Sequence, residues 1–371
     1  MTLPGYATPQ GTVSYSQRFA TTLAPAHFRD SADHLKLSSI GLGTYLGEAD
    51  ARTDALYAAA IVRALECGCN VLDSAINYRH QRSERVIGQV LAALDRENLV
   101  KREEVVVATK GGYLAFDGEV PPDPRAYVYT MFIKTGLTSP DDIVEWNCIA
   151  ARYIDDQIER SLRNLGLECI DIYYLHNPEA QLQKRSRQEF YEKIADAFAV
   201  LEAKVAAGKI RLYGTATWNG YRQPPTTREY LSLADLIAIA EKVGGQGHHF
   251  KVVQLPYNLA MLEALRQRNQ PVGKETVNFL EAAHSFGVTV MASATIMQGQ
   301  LAGRLPASIG EALSGLTSDA QRAIQFTRST PGITTALVGM KSVEHVEHNL
   351  ETAKVPPATL EQFQKLFRER S

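Results

Sequence analysis

Short runs of β-branched and aliphatic residues alternate along this chain with longer segments whose apolar residues recur every three or four positions. That alternation predicts repeated βα units. Strands are expected at Ser39–Leu42, Asn70–Ser74, Val105–Thr109, Ile170–Leu175, Ile210–Gly214, Val252–Leu255, Val288–Ala292 and Thr335–Val338. Helices are expected at Asp54–Glu66, Ser83–Leu94, Tyr153–Leu165, Glu189–Ala206, Ala234–Val243, Lys274–Ser285, Asp319–Ser329 and Val343–Thr352. In the first of these Leu56, Ala60 and Leu65 share a face, and Gly68 follows as a natural stop. Ser83 is read as the N-cap of the second, with Glu84 suiting the positive helix start. Eight parallel strands are what a closed barrel requires, so the expected fold is a (β/α)8 TIM barrel.

Three connections exceed ordinary βα loops: Gly111–Arg152, Trp218–Leu231 and Asn258–Gly273. All three leave C-terminal strand ends, the face on which barrel active sites lie. The first carries Tyr113, Phe116, Tyr127, Tyr129 and Phe132, with Trp146 beyond, and is stiffened by Pro121, Pro122 and Pro124. A lid-like insertion over residues 111–152 is expected from it, walling a pocket for a bulky, partly apolar or aromatic substrate, with a self-packed surface subdomain or a subunit contact as the alternative. Residues 1–37 form an N-terminal extension, read as a hairpin plugging the barrel bottom, and residues 354–371 hold an extra helix near Thr359–Arg370. The whole, 1–371, is read as one domain, since such barrels use about 250 residues and accept insertions.

Composition narrows the class of protein. A net charge of −2 gives no reason to expect a nucleic-acid partner. The four cysteines, Cys67, Cys69, Cys148 and Cys169, fit neither a disulfide scaffold nor zinc spacing, so no metal is expected. The N-terminus lacks a basic-then-apolar leader, and no apolar run reaches the roughly 20 residues that cross a bilayer. A cytoplasmic protein without membrane contact is the expectation; the oligomeric state is not legible.

Four polar residues stand at or just beyond the ends of the expected strands. Asp73 ends the second and Tyr78 follows it by five residues, Lys110 closes the run VVVATK, and His176 closes YYLH. Reducing a carbonyl needs a hydride on carbon and a proton on oxygen. A phenol with a pKa near 10 gives up its proton reluctantly, and a neighbouring ammonium favours the phenolate. A carboxylate keeps that ammonium charged, and an imidazole can orient the carbonyl. Each group alone has a bland alternative as a cap, rim or core residue; three successive strands delivering all four argue for chemistry.

From about Ile40 to Leu350 the chain resembles the aldo-keto reductase superfamily. IGLGTY, LDSAINYRHQRSE and IERSLRNLGLECIDIYYLHNP carry the resemblance, with Asn77-Tyr78-Arg79 where the family has a Tyr-Gly pairing. The likeness implies Asp73, Tyr78, Lys110 and His176 as catalytic residues, with NADP(H) preferred and NAD(H) possible as coenzyme. It implies that Gln254 meets the nicotinamide carboxamide and that Thr217 supplies a hydroxyl where the family has Ser-Asn. After the seventh strand the family's stacking tyrosine is missing from Met291-Ala292-Ser293-Ala294, which leaves Trp218 as the alternative. Gly299 and Gln300, in a turn near the pyrophosphate, and Lys341, Ser342, His345 and Asn349, at an adenine-ribose phosphate clamp, complete the implied coenzyme set. The implied activity is reduction of an aldehyde or ketone, or the reverse oxidation. A redox-sensing regulatory subunit with little turnover is the rival, and a barrel enzyme for phosphorylated sugars leaves Asp73, Tyr78 and Lys110 unexplained.

Overall fold

The computed structural model describes residues 2–367. Its centre is a closed barrel of eight parallel strands: β1 (Ile40–Gly43), β2 (Val71–Asp73), β3 (Val106–Gly111), β4 (Ile170–His176), β5 (Ile210–Ala216), β6 (Phe250–Pro256), β7 (Thr289–Ser293) and β8 (Thr335–Gly339). Each pairs with its successor, and β8 returns to β1 through Ala336 opposite Ile40. All eight expected strands exist, as does the expected (β/α)8 class.

Side chains alternate across each strand, and this parity positions the site. Val71, Val106, Ala108, Ile172, Tyr174, Leu212, Val252, Met291 and Leu337 form a cluster inside the barrel, separate from the larger core under the helices. Leu72, Val107, Tyr173, Leu175 and Val253 belong to that outer core. Stepping two residues from the inward Val71, Ala108, Tyr174 and Val252 reaches Asp73, Lys110, His176 and Gln254. The same faces that fill the barrel therefore deliver polar groups to its C-terminal mouth. Close strand contact also constrains sequence: a Cβ at Gly214 would stand 1.6 Å from the Val252 carbonyl oxygen, so β5 approaches β6 only with glycine there.

Helices α1 (Ala51–Glu66), α2 (Arg82–Arg96), α3 (Ala151–Leu165), α4 (Arg187–Ala206), α5 (Leu233–Gly244), α6 (Phe279–Ser285), α7 (Asp319–Ser329) and α8 (Val343–Leu350) are the covering helices. In α1, Tyr57, Ala60, Ile61, Ala64 and Leu65 are buried while Leu56 is 38% exposed, so the buried face is rotated from the expected one. Ser83 does not cap α2. Arg79, His80 and Gln81 are all left-handed, Gln81 is the cap residue, and the Ser83 hydroxyl donates to the Thr44 carbonyl at 2.8 Å. The helix expected from Lys274 begins only at Phe279. Glu275–Val277 pairs instead as a short antiparallel strand with Gln270–Val272, and Asn278 caps the helix with Glu281. Near the C-terminus a helix spans Leu360–Lys365; the remainder of the expected segment, 368–370, lies outside the described residues.

An N-terminal helix, Pro9–Gln17, precedes a hairpin of Phe28–Asp30 and Lys36–Ser38. Leu35 and Leu37 join the interior cluster, and Asn70, just before β2, bonds the Ser38 N–H and the Lys36 carbonyl. The hairpin thus closes the barrel at the end opposite the polar mouth. The insertion after β3 contains a helix at Pro124–Val128 and one π turn at Tyr129–Ile133. Phe132 packs against Tyr153 of α3 with ring centroids 5.3 Å apart, and Arg160 covers its face at 5.7 Å. Of the insertion's rings expected to wall a pocket, Tyr113 lines the cavity, whereas Phe116 packs on His80, Tyr127 and Trp146, Tyr127 on Phe132, and Tyr129 is 58% exposed. Among the described residues no helix is long and apolar enough to cross a membrane.

Candidate active site

A cavity of about 780 Å³ opens at the C-terminal mouth. Asp73, Tyr78 and His176 line it, and Lys110 lies fully buried behind them. The Lys110 ammonium donates to Asp73 Oδ2 and to the Ser74 carbonyl, both at 2.6 Å. Asp73 Oδ1 accepts from the Gln254 side-chain amide at 2.7 Å, so both carboxylate oxygens are engaged. The Tyr78 ring sits 4.8 Å from Lys110 Nζ, and its centroid is 5.9 Å from that of His176, edge to face. The structure therefore brings the four residues singled out by sequence into one cluster.

Arg79 explains how the chain departs from Tyr-Gly after the phenol. It occupies a left-handed conformation, φ 48°, where glycine would be free of strain. Its Nε donates to the Glu48 carbonyl at 2.8 Å, its Nη2 to Asp54 at 2.5 Å, and its guanidinium lies over Tyr57. Those contacts fasten the loop after β1 to the loop carrying Tyr78.

Electrostatics adjust the expected roles. Burial pushes the Tyr78 phenol well above its ordinary pKa, and the Asp73 charge pushes the same way. Any lowering by Lys110 does not prevail over burial here: the ammonium donates to Asp73 and Ser74 and stands 4.8 Å from the centre of the Tyr78 ring. Burial lowers the Lys110 pKa, opposed by Asp73 and, more weakly, by Glu84. Burial, reinforced by Lys110, holds His176 well below its usual value, so the imidazole is neutral at pH 7. Its Nδ1 is buried without a protein partner.

The residues implied for a coenzyme divide into two groups. Thr217, Gln254, Gly299, Lys341, His345 and Asn349 line the same cavity, which runs from Tyr78 to α8. Gln300 and Ser342 do not. Gln300 faces solvent one position beyond Gly299, and Ser342 accepts the His345 N–H as the α8 cap. Three features suit an extended ligand: the Thr217 hydroxyl is buried without a partner, Gly299 has φ 91° with open space at its Cβ position, and Lys341 is exposed at the far end. No aromatic follows β7, where Ala294 has φ 54°, while Trp218 lines the cavity. Sequence reading missed Tyr45, Asn77, Asn177, Gln298, Ser318 and His348, all of which line the cavity, and Glu179, which supports it. Nothing in the sequence pattern marked these residues, most of which sit in loops. Among the described residues no cluster of three or more potential metal ligands exists.

Residues 39–308 match the model of the Aldo/keto reductase family. Among curated proteins, the NADH-specific methylglyoxal reductase of Escherichia coli (strain K12) is 30% identical over 216 residues, 56% of each chain. The chain spans about half the length of the curated relatives it matches. Among solved structures, an aldo-keto reductase from Bacillus halodurans in its holo form superposes with a TM-score of 0.61 at 20% identity, covering 91% of this chain and 94% of that one. One from Klebsiella pneumoniae in complex with NADPH gives 0.61 at 21% identity, covering 92% and 94%. Both structural likenesses speak to the fold.

Proposed function

The chain belongs to the aldo/keto reductase family, and from that premise we propose that it is an NAD(P)H-dependent oxidoreductase that reduces an aldehyde or ketone, or oxidises the alcohol, with Tyr78 as general acid. The observation that carries the reading is the buried Lys110–Asp73 pair set against the Tyr78 ring at the cavity wall. Placing an ammonium in a barrel core needs a functional or structural return, and its position beside a phenol supplies one.

The coenzyme contributes the hydride when bound. Thr217, Gln254 and the Gly299 turn would hold its nicotinamide and pyrophosphate portions, with Lys341, His345 and Asn349 toward the ribose phosphate. The NADPH complex of a structural neighbour and the NADH specificity of a relative keep both coenzymes open, and Lys341 favours NADP(H).

Tyr78 keeps its proton at neutral pH because its pKa is raised. It yields that proton when the carbonyl oxygen becomes strongly basic, and Lys110 then stabilises the tyrosinate through the ring-side approach. Asp73 keeps Lys110 charged. Neutral His176 can donate one hydrogen bond to orient the carbonyl. The proposal of a bulky, partly aromatic substrate now rests on Tyr45, Tyr113 and Trp218.

Oxidation of NADPH followed at its absorbance with a panel of neutral aldehydes tests the reading. Turnover is expected. Saturable coenzyme binding without consumption would favour the rival regulatory role.

A further inference from the structure

At the end of the barrel opposite Tyr78 lies a buried charge that the chain leaves unbalanced. Arg328, in the last turn of α7, is 0% exposed, and all its hydrogen-bond partners among the described residues are neutral. Nε donates to the Ser39 hydroxyl at 3.0 Å. Nη1 donates to the Gln325 side-chain oxygen at 3.1 Å and to the carbonyls of Thr352 at 2.6 Å and Val355 at 3.1 Å. The other terminal nitrogen, Nη2, is buried with no partner in the protein. The same holds for the hydroxyl of Thr352, a residue that is also 0% exposed. Since Nη1 binds the Thr352 carbonyl, the unanswered N–H groups and the unanswered hydroxyl belong to one contact.

Neighbouring groups add positive charge and supply no negative charge. Arg29, on the N-terminal hairpin, donates to the carbonyls of Arg328 at 2.5 Å and Ile333 at 2.7 Å. His27 lies 3.0 Å from the Ser39 hydroxyl through Nδ1 and 2.9 Å from the Gly68 carbonyl through Nε2. Ser39 accepts from Arg328, so its own proton goes to Nδ1, and burial holds the imidazole neutral with a pKa of about 3. Burial, then Arg29, lowers the Arg328 pKa to about 9, which leaves the guanidinium charged at pH 7.

Carbonyl dipoles near the end of α7 and after α8 soften this charge, as cations suit a helix C-terminus. They meet Nη1 and Arg29 and leave Nη2 out. A water molecule would satisfy the N–H groups of Nη2 but leave the buried charge unpaired. A small anion answers both needs. With Arg328, Ser39 and Thr352 all 0% exposed, the surroundings suit a monatomic ion over an oxyanion or an organic acid.

We propose that Arg328 Nη2 and the Thr352 hydroxyl form a buried site for one monatomic anion of the chloride class. The ion joins α7 to the segment after α8, beside the hairpin that closes the barrel. Its role is structural, and it stands independently of the reductase reading.

Thermal unfolding tests it, after dialysis, in sodium chloride and in sodium gluconate at equal ionic strength, gluconate being too large for such a niche. In about 0.1 M chloride the Tm should exceed that in gluconate by about 2–4 °C and should reach a limit with dose. Thr352→Val keeps the side-chain shape and removes the hydroxyl, so the chloride concentration giving half the effect should rise about tenfold. Arg328→Met should abolish the effect; if that variant fails to fold, Thr352→Val carries the test alone. Crystals grown in sodium bromide should show an anomalous peak within hydrogen-bond reach of Arg328 Nη2. Equal melting in the two salts would overturn the proposal, as would a chloride effect unchanged in Thr352→Val. A bromide peak at Nη2 without chloride-dependent stability would mean binding at crystal concentration only, and would overturn it too.

Discussion

Replacing Asp73 with asparagine removes the counter-charge of a fully buried ammonium and keeps the side-chain volume. Lys110 Nζ would retain the Ser74 carbonyl at 2.6 Å but lose its ionic partner, also at 2.6 Å. Breaking a buried pair from one side typically costs about 3–5 kcal/mol. The lysine has an escape: it can fold as the neutral amine. Dropping its pKa from about 10.4 to 7 corresponds to roughly 4.6 kcal/mol, which caps the loss at pH 7. Asp73→Asn should therefore lose about 3–4.6 kcal/mol in urea unfolding at pH 7. Adding Lys110→Met removes the stranded charge, and the double variant should recover about 2 kcal/mol or more relative to Asp73→Asn. The paired measurement separates charge burial from packing, which a single substitution cannot do. A loss below about 1 kcal/mol in Asp73→Asn, or a double variant less stable than the single, would refute the claim that this pair is an ion pair held in the core.

Because the Tyr78 pKa is raised and His176 is held neutral, neither group should bend kcat/KM for carbonyl reduction as pH rises from 7 to about 10, measured with coenzyme saturating, and any fall there should report the lowered pKa of Lys110; a rise across this range would contradict Tyr78 as the acid. His27, buried between Ser39 and the Gly68 carbonyl, has its pKa lowered to about 3, chiefly by burial. A depressed pKa gives stability that is present above about pH 6.5 and lost as pH falls toward about 3, at up to roughly 1.4 kcal/mol per unit, so His27→Gln should flatten the acid limb of stability against pH between 6 and 4. Gly214→Ala should cost about 2 kcal/mol or more in unfolding, since its methyl would overlap the Val252 carbonyl.

The barrel was legible because its strands are β-branched runs, and because parity along them is set by the chain alone. Asp73, Lys110 and His176 could be placed on one rim from strand order before any contact was known. What escaped were properties of turns and of competing partners. Ser83 looked like a cap, but three consecutive left-handed residues moved the start of α2 and turned its hydroxyl to Thr44. Lys274 to Val277 looked helical until β-branched Thr276 and Val277 found a hairpin partner at Gln270–Val272. The aromatic insertion read as a lid because sequence shows which rings are available, not which surface buries them; Phe132 chose Tyr153. Asn77 and Glu179 carried no pattern at all, since a lone amide and a lone carboxylate in loops acquire meaning only through what faces them.

The proposed chemistry turns on one proton. Tyr78→Phe keeps the ring against Lys110 and removes only the hydroxyl, so coenzyme binding should survive while chemistry fails. A single-turnover measurement, with protein preloaded with NADPH and mixed rapidly with aldehyde, isolates that step. The hydride-transfer rate should fall by about 10²–10⁴ relative to wild type. A rate within about threefold of wild type, with coenzyme bound equally well, would mean that another group protonates the carbonyl and that the mechanism proposed here is wrong.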